Sequence, residues 1–151
     1  MPLQLVPQYL NPPLTPCHIT FGTYGTRLHG GVRPAVDKQH NQRHTSFILR
    51  DPDRQEFEQS RMRFSTRVLT LEQRIFTEAV LPAICERGGW KFRNCAAESN
   101  HVHLLCDVVP DVHGEKVRRL VKRWLGQRLC EQWKVPHGAT WLAEEGSNIA
   151  V

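Results

Sequence analysis

Two histidines, His101 and His103, stand two residues apart in the run SNHVHLLCDV, residues 99–108, among the apolar residues Val102, Leu104, Leu105, Cys106 and Val108. Neutral imidazoles are ligands for divalent cations, and two converging on one point make a partial metal site. In a strand, alternate side chains share a face. His101, His103 and Leu105 then point one way, and Val102, Leu104, Cys106 and Val108 point the other. Side chains two apart on one face sit about 6–7 Å apart at Cα, a workable spacing for one ion. The same pattern also describes a strand whose polar face simply meets solvent. No Asp, Glu or third His close by in sequence completes a ligand set. Asp107 falls near the strand end, and His113 lies beyond Pro110 in a loop. His40 and His44, in the polar stretch KQHNQRH, read as surface residues.

The elements that must position this pair follow from periodicity. Residues 1–16 carry five prolines and read as an extended arm. In CHITFGTYGTRLHG, Ile19, Phe21 and Thr23 alternate with Thr20, Gly22 and Tyr24, predicting a first strand closed by Gly30-Gly31. Residues 32–64 are polar and poorly periodic, an insertion with one short helix capped by Asp51 and opened by Pro52. A longer helix starts after Thr70, where TLEQ matches a capping box with Gln73. Leu71, Ile75, Ala79 and Ile84 mark its expected apolar face. Pro82 is expected to kink or restart it, and Gly88-Gly89 to stop it.

WKFRNCAAE and SNHVHLLCDVV predict a hairpin. A second long helix spans about Gly114 to Trp133, with Val117, Leu120, Val121, Trp124, Leu125 and Leu129 on its apolar side. A last strand is expected around residues 140–143. Strand, helix, strand, strand, helix, strand is the split βαβ, ferredoxin-like order. The expected fold is therefore α+β, with helices on one face of an antiparallel sheet. The histidines belong on the open face.

The 151 residues suffice for one domain, here 17–151 behind the arm. Formal net charge is +5, compatible with a polyanionic partner. Five cysteines without a C-x-x-C pair suggest neither a disulfide framework nor a zinc ribbon. The N-terminus lacks the features of a signal peptide, and no apolar run approaches a membrane span of about 20 residues. A soluble, cytoplasmic protein with no membrane partner is expected.

Asn100-His101-Val102-His103, after a helix and a strand and before a basic helix, resembles the HUH-type single-strand DNA transposases. These are the one-tyrosine insertion-sequence transposases and their REP-associated relatives. ITFGTYGTRLHGG is similar to the family's first strand, and GATWLAEEGSN to its late tryptophan-containing segment. The resemblance covers roughly Cys17 to Asn148. It implies metal-assisted cleavage and rejoining of single-stranded DNA at hairpin-flanked sites, by attack of a tyrosine hydroxyl. It implies that His101 and His103 hold a divalent ion, Mg or Mn. It also implies single-stranded DNA hairpins as partner and a possible homodimer.

The sequence departs from that family at the nucleophile. Its tyrosines are Tyr9, in the arm, and Tyr24, ending the first strand. Neither sits on a helix after the last strand with Gln four residues on, so the catalytic tyrosine is unassigned. The chain as given is expected to hold half of an active site and to be inactive alone. Lys116, Arg119, Lys122, Arg123 and Arg128 of the second long helix are the candidate DNA-binding residues, with Arg118 among them, and Lys91 and Arg93 as an extension. Trp124 and Trp133 can stack on bases if exposed, or pack in the core. Two other readings stay open. One is a domesticated, non-catalytic nucleic-acid-binding module. The other is a metal-dependent hydrolase, which needs an acidic ligand.

Overall fold

The computed structural model describes residues 13–25, 51–62 and 64–150. Tyr9, His40, His44, Gly30-Gly31 and most of the arm and insertion lie outside them. The order is β1 (Thr15–Thr23), α1 (Pro52–Ser60), α2 (Leu71–Gly88), β2 (Lys91–Ala97), β3 (His101–Val108), α3 (Gly114–Gln132) and β4 (Leu142–Ala150). The strands form one sheet ordered β2-β3-β1-β4, and every neighbouring pair is antiparallel. This is the expected α+β, ferredoxin-like arrangement, with α1 added beside it.

β1 is central, and its alternation builds both faces. Cys17, Ile19, Phe21 and Thr23 are buried, while Pro16, His18, Thr20 and Gly22 are half-buried on the other side. On β3, Val102, Leu104, Cys106 and Val108 join the buried set. α2 packs on β2, α3 on β1 and β4, and the two helices on each other. The core lies between them and the sheet, sealed by Val117, Val121, Leu125 and Leu129 of α3. All five cysteines are free thiols. No helix among the described residues is long and apolar enough to cross a membrane.

Local chemistry explains the boundaries. Asp51 caps α1, accepting from the Arg54 N–H at 3.1 Å. The Thr70–Gln73 capping box closes in both directions, at 2.9 and 3.3 Å. Gly89 ends α2 in the left-handed region, φ +75°, where a side chain is disfavoured. α2 runs through Pro82 as one helix rather than restarting there. The ring removes the donor that would serve the Glu78 carbonyl. Cys95 Sγ lies 3.8 Å from that oxygen and donates to it instead.

The structure corrects four boundaries or faces. β1 begins at Thr15, inside the expected arm, and ends at Thr23, well before Gly30. Backbone bonds from Thr23 N–H to the Asn100 carbonyl and Tyr24 N–H to the Trp141 carbonyl close that end. The buried face of α2 is Gln73, Thr77, Val80, Leu81, Ile84 and Cys85, whereas Leu71, Ile75 and Ala79 are exposed. Its apolar residues are spread around the helix, so composition could not select the face. β4 extends to Ala150, because backbone pairing with β1 holds a polar sequence. Arg118 donates to the Gly146 carbonyl at 2.7 Å, and Lys122 to that of Glu144. Gly146 is required for this fit, since a Cβ there would stand 2.5 Å from the Thr20 carbonyl oxygen.

Thr77 is fully buried, and its hydroxyl finds no hydrogen-bond partner among the described residues. Desolvating an unpaired hydroxyl costs about 1–3 kcal/mol. Thr77→Val keeps the shape and removes that cost, so urea unfolding should show a more stable protein. An equal or lower stability would mean that the hydroxyl is satisfied in solution.

Candidate functional site

His101 and His103 lie half-buried on the open face, as their parity requires. Their rings meet edge to face, with centroids 4.8 Å apart at 89°. The register sets His101 beside Gly22 and His103 beside Thr20 of β1. The β2–β3 turn is pinned from two sides. Ser99 accepts from the Leu69 N–H at 2.7 Å, and Asn100 from the Thr23 N–H at 3.0 Å. Asn100 is thereby fixed where its Oδ1 meets His101 Nδ1 at 2.6 Å.

A third histidine, absent from the sequence reading, completes the cluster. His18 of β1 stacks on His103, centroids 5.2 Å apart, with its Nε2 at 3.1 Å from His103 Nδ1. Thr20 Oγ1 lies 3.0 Å from His103 Nδ1 and 3.4 Å from His18 Nε2. His18 is not foreseen as a neighbour of the pair, yet it adds an imidazole beside His103 without completing a ligand set among the described residues. The missed signal is the alternation of β1, which sets His18 and Thr20 opposite Ile19 and Phe21. What sequence alone withholds is the register that brings residue 18 to residue 103.

Each of the two expected ligands has its Nδ1 engaged, His101 by Asn100 and His103 by His18 and Thr20. Their Nε2 atoms carry no hydrogen bond among the described residues. An imidazole that donates through Nδ1–H in such a contact is left with Nε2 to offer to an ion. The two nitrogens of one ring point apart, so an ion on His103 Nε2 is out of reach of His18. Consistently, no group of three or more His, Cys, Asp or Glu among the described residues is arranged to hold one ion. Burial, followed by the neighbouring His101 and His18, pushes His103 below the ordinary histidine value, and the Glu98 carboxylate partly opposes this.

A shallow open cavity of about 360 Å³ adjoins the pair, lined by His18, Asn94, Cys95, Ala96, His103 and Leu105. A β-bulge at Arg93 shifts the register of β2, so that Asn94 pairs with Leu105 and Ala96 with His103. Asp107 shares the histidine parity but is buried, and its Oδ1 has no hydrogen-bond partner among the described residues. Arg93 binds its Oδ2 through Nε at 2.7 Å and through a terminal nitrogen at 2.6 Å.

The basic residues stand elsewhere. Lys116, Arg119, Arg123 and Arg128 are exposed on α3, and Lys122 is half-buried against β4. Arg128 also pairs with Glu131 at 3.8 Å. Since α3 covers the sheet face opposite the histidines, the structure does not gather these cations around His101 and His103. The tryptophans are used in packing. Trp124 stacks on Trp90 at 5.9 Å under Arg87, and Trp133 meets Phe76 edge-on at 5.2 Å. Tyr24 lines a separate cavity of about 560 Å³ with Glu58, Arg61, Met62 and Glu144. Its backbone is held at both ends, to Trp141 and Arg67.

No protein-family model matches the sequence, and no curated protein matches it. The fold is similar to a crystal structure from Deinococcus radiodurans R1 described as a putative transposase. Identity is 14%, the TM-score 0.59, and the match covers 93% of this chain and 82% of that one. A likeness at that identity is one of fold alone: this chain shares the fold of that structure.

Proposed function

We propose that this chain is a single-strand DNA-handling domain of the HUH transposase class, with His101 and His103 as the ligands of a divalent ion, Mg or Mn. The observation that carries the reading is the pair itself. Two half-buried imidazoles share the open face of a transposase-like sheet, each tied at Nδ1 and unengaged at Nε2. An ion held there supplies Lewis-acid polarisation of a phosphate oxygen and offsets its developing charge. The residues around it orient the two rings and leave the face open to a strand. Neutral nitrogen ligands admit Mn²⁺, and Mg²⁺ with added oxygen ligands.

A hairpin is the proposed DNA partner, and Lys116, Arg119, Lys122, Arg123 and Arg128 its phosphate contacts. Because α3 covers the face opposite the histidines, a strand touching both must pass round the sheet, and Arg118 and Lys122 stand at its β4 edge. A homodimer belongs to the same reading. Tyr24 favours the variant in which this chain binds without cutting. It follows directly on the central strand β1 with its backbone held on both sides, and so lacks the travel of a nucleophile on a mobile helix. The hydrolase reading lacks a placed acidic ligand, because no group of three or more His, Cys, Asp or Glu among the described residues is arranged around one ion.

Calorimetry with Mn²⁺ tests the pair. Wild type should bind one ion weakly, and His101→Ala and His103→Ala should each remove detectable binding. Equal binding in all three proteins would sink the assignment.

The lowered His103 value is checked by NMR titration of the metal-free protein. The ring should protonate with a midpoint below the roughly 6.5 of a free histidine. The sign for stability follows. As pH falls through about 6.5, the unfolded chain takes up a proton that the native ring refuses, so stability declines below that pH and is unaffected above it. A midpoint at or above the free value contradicts the burial described.

Hairpin DNA should bind more tightly than duplex of equal length. Its log–log salt slope should lose about 0.7 for each phosphate contact removed. Arg119→Ala with Arg123→Ala should therefore weaken binding and flatten the slope. An unchanged slope would place the DNA on another surface.

A further inference from the structure

We infer that His18 is a positioning residue for His103, holding that ring in the tautomer whose Nε2 faces an ion. The inference rests on the ion reading of the pair, and it adds a residue on a different strand with a role of its own.

The 3.1 Å contact between His18 Nε2 and His103 Nδ1 admits two proton arrangements. In one, His103 Nδ1–H donates to the His18 Nε2 lone pair, and His103 Nε2 is left with its own lone pair. In the other, His18 Nε2–H donates to His103 Nδ1. The His103 proton then sits on Nε2, and the ring cannot bind an ion there. Only the first is compatible with a ligand at Nε2. His18 as acceptor also makes the ring a better donor to the ion, because an Nδ1–H bond strengthens ligand basicity.

Thr20 supports the arrangement without deciding it. Its hydroxyl is 3.0 Å from His103 Nδ1 and 3.4 Å from His18 Nε2. A hydroxyl both donates and accepts, so it satisfies either tautomer. The ring stacking of His18 on His103, 22° from parallel, holds the two nitrogens in contact. The same task is performed for His101 by Asn100 Oδ1, a pure acceptor, at 2.6 Å. One ligand is therefore oriented from its own turn, and the other from across the sheet. That the second device lies 85 positions away in sequence explains why the H-x-H run does not reveal it.

The test uses the whole chain with ¹⁵N-labelled histidine and Mn²⁺ as the ion probe. In the metal-free wild type, long-range ¹H–¹⁵N correlations should show His103 protonated at Nδ1. His18→Phe should move that proton to Nε2 and weaken Mn²⁺ binding by about 10–100-fold, the usual cost of losing an outer-sphere partner. His18→Gln, whose side-chain carbonyl can accept, should restore the Nδ1–H form and most of the affinity. Thr20→Val should leave the tautomer as in wild type. A merely structural role for His18 would not respond to Gln in this way.

His103 found as the Nε2–H form in wild type overturns the inference. So does a His18→Phe protein with both tautomer and affinity unchanged, or a Thr20→Val protein that loses the Nδ1–H form. Should wild type take up no Mn²⁺ at all, the ion reading fails. The tautomer shift between wild type, His18→Phe and His18→Gln still decides the role of His18.

Discussion

The register between β1 and β3 is the constraint on which the rest of the molecule depends. It pairs His18 with Leu105, Thr20 with His103 and Gly22 with His101. Because side chains alternate, a slip of one residue on either strand would exchange its two faces. Ile19, Phe21, Val102 and Leu104 would leave the core, and the imidazoles would enter it unpaired. Burying the apolar set thus fixes the polar set. The hydrophobic term, about 25 cal/mol per Å² of apolar surface removed from water, positions the histidines although none of them contributes much to it. The site is held by the side of the sheet that does no chemistry.

That dependence explains what the sequence disclosed. The parity of β3 was legible because His101 and His103 alternate with Val102 and Leu104 at its start, although Leu105 breaks the alternation further on. The Thr70–Gln73 box, Gly89 and the buried face of α3 were legible for the same reason: each is a local pattern with a local cause. His18 was not legible. CHITFGT shows that residue 18 faces away from the core, but only strand pairing shows that it meets residue 103. The Arg93 bulge, which sets Asn94 and Ala96 beside the histidines, left no mark in composition. The face of α2 was misjudged because polar Gln73 and Thr77 are buried while Leu71 and Ile75 are exposed. The length of β4 was missed because its hold on β1 is made by backbone groups.

The basic helix and the histidines emerged from one reading and occupy opposite sides of one sheet. α3 cannot bury Val117, Val121, Leu125 and Leu129 and also turn Lys116, Arg119 and Arg123 toward the open face. Under the proposed function, DNA held by the α3 cations would lie at the back and flank of the sheet, whereas an ion on the histidines would lie in front. Arg118 and Lys122 bridge the two sides by donating to β4 carbonyls at the sheet edge. The other edge is engaged by α2, where Glu78 accepts from the Ala97 N–H at 2.9 Å and Arg74 donates to the Ala97 carbonyl at 2.8 Å. Helix side chains thus occupy backbone groups on both edge strands, which limits uncontrolled strand pairing.

The central claim is that His101 and His103 together hold a divalent ion through Nε2 on the open face. Anomalous diffraction from crystals soaked in Mn²⁺ tests it most directly. The account predicts a single manganese peak in front of β3, at bonding distance from Nε2 of both rings, with Asn100 and His18 still on the Nδ1 sides. A peak bound through Nδ1, or no peak at these rings under conditions that load manganese elsewhere on the protein, would contradict it.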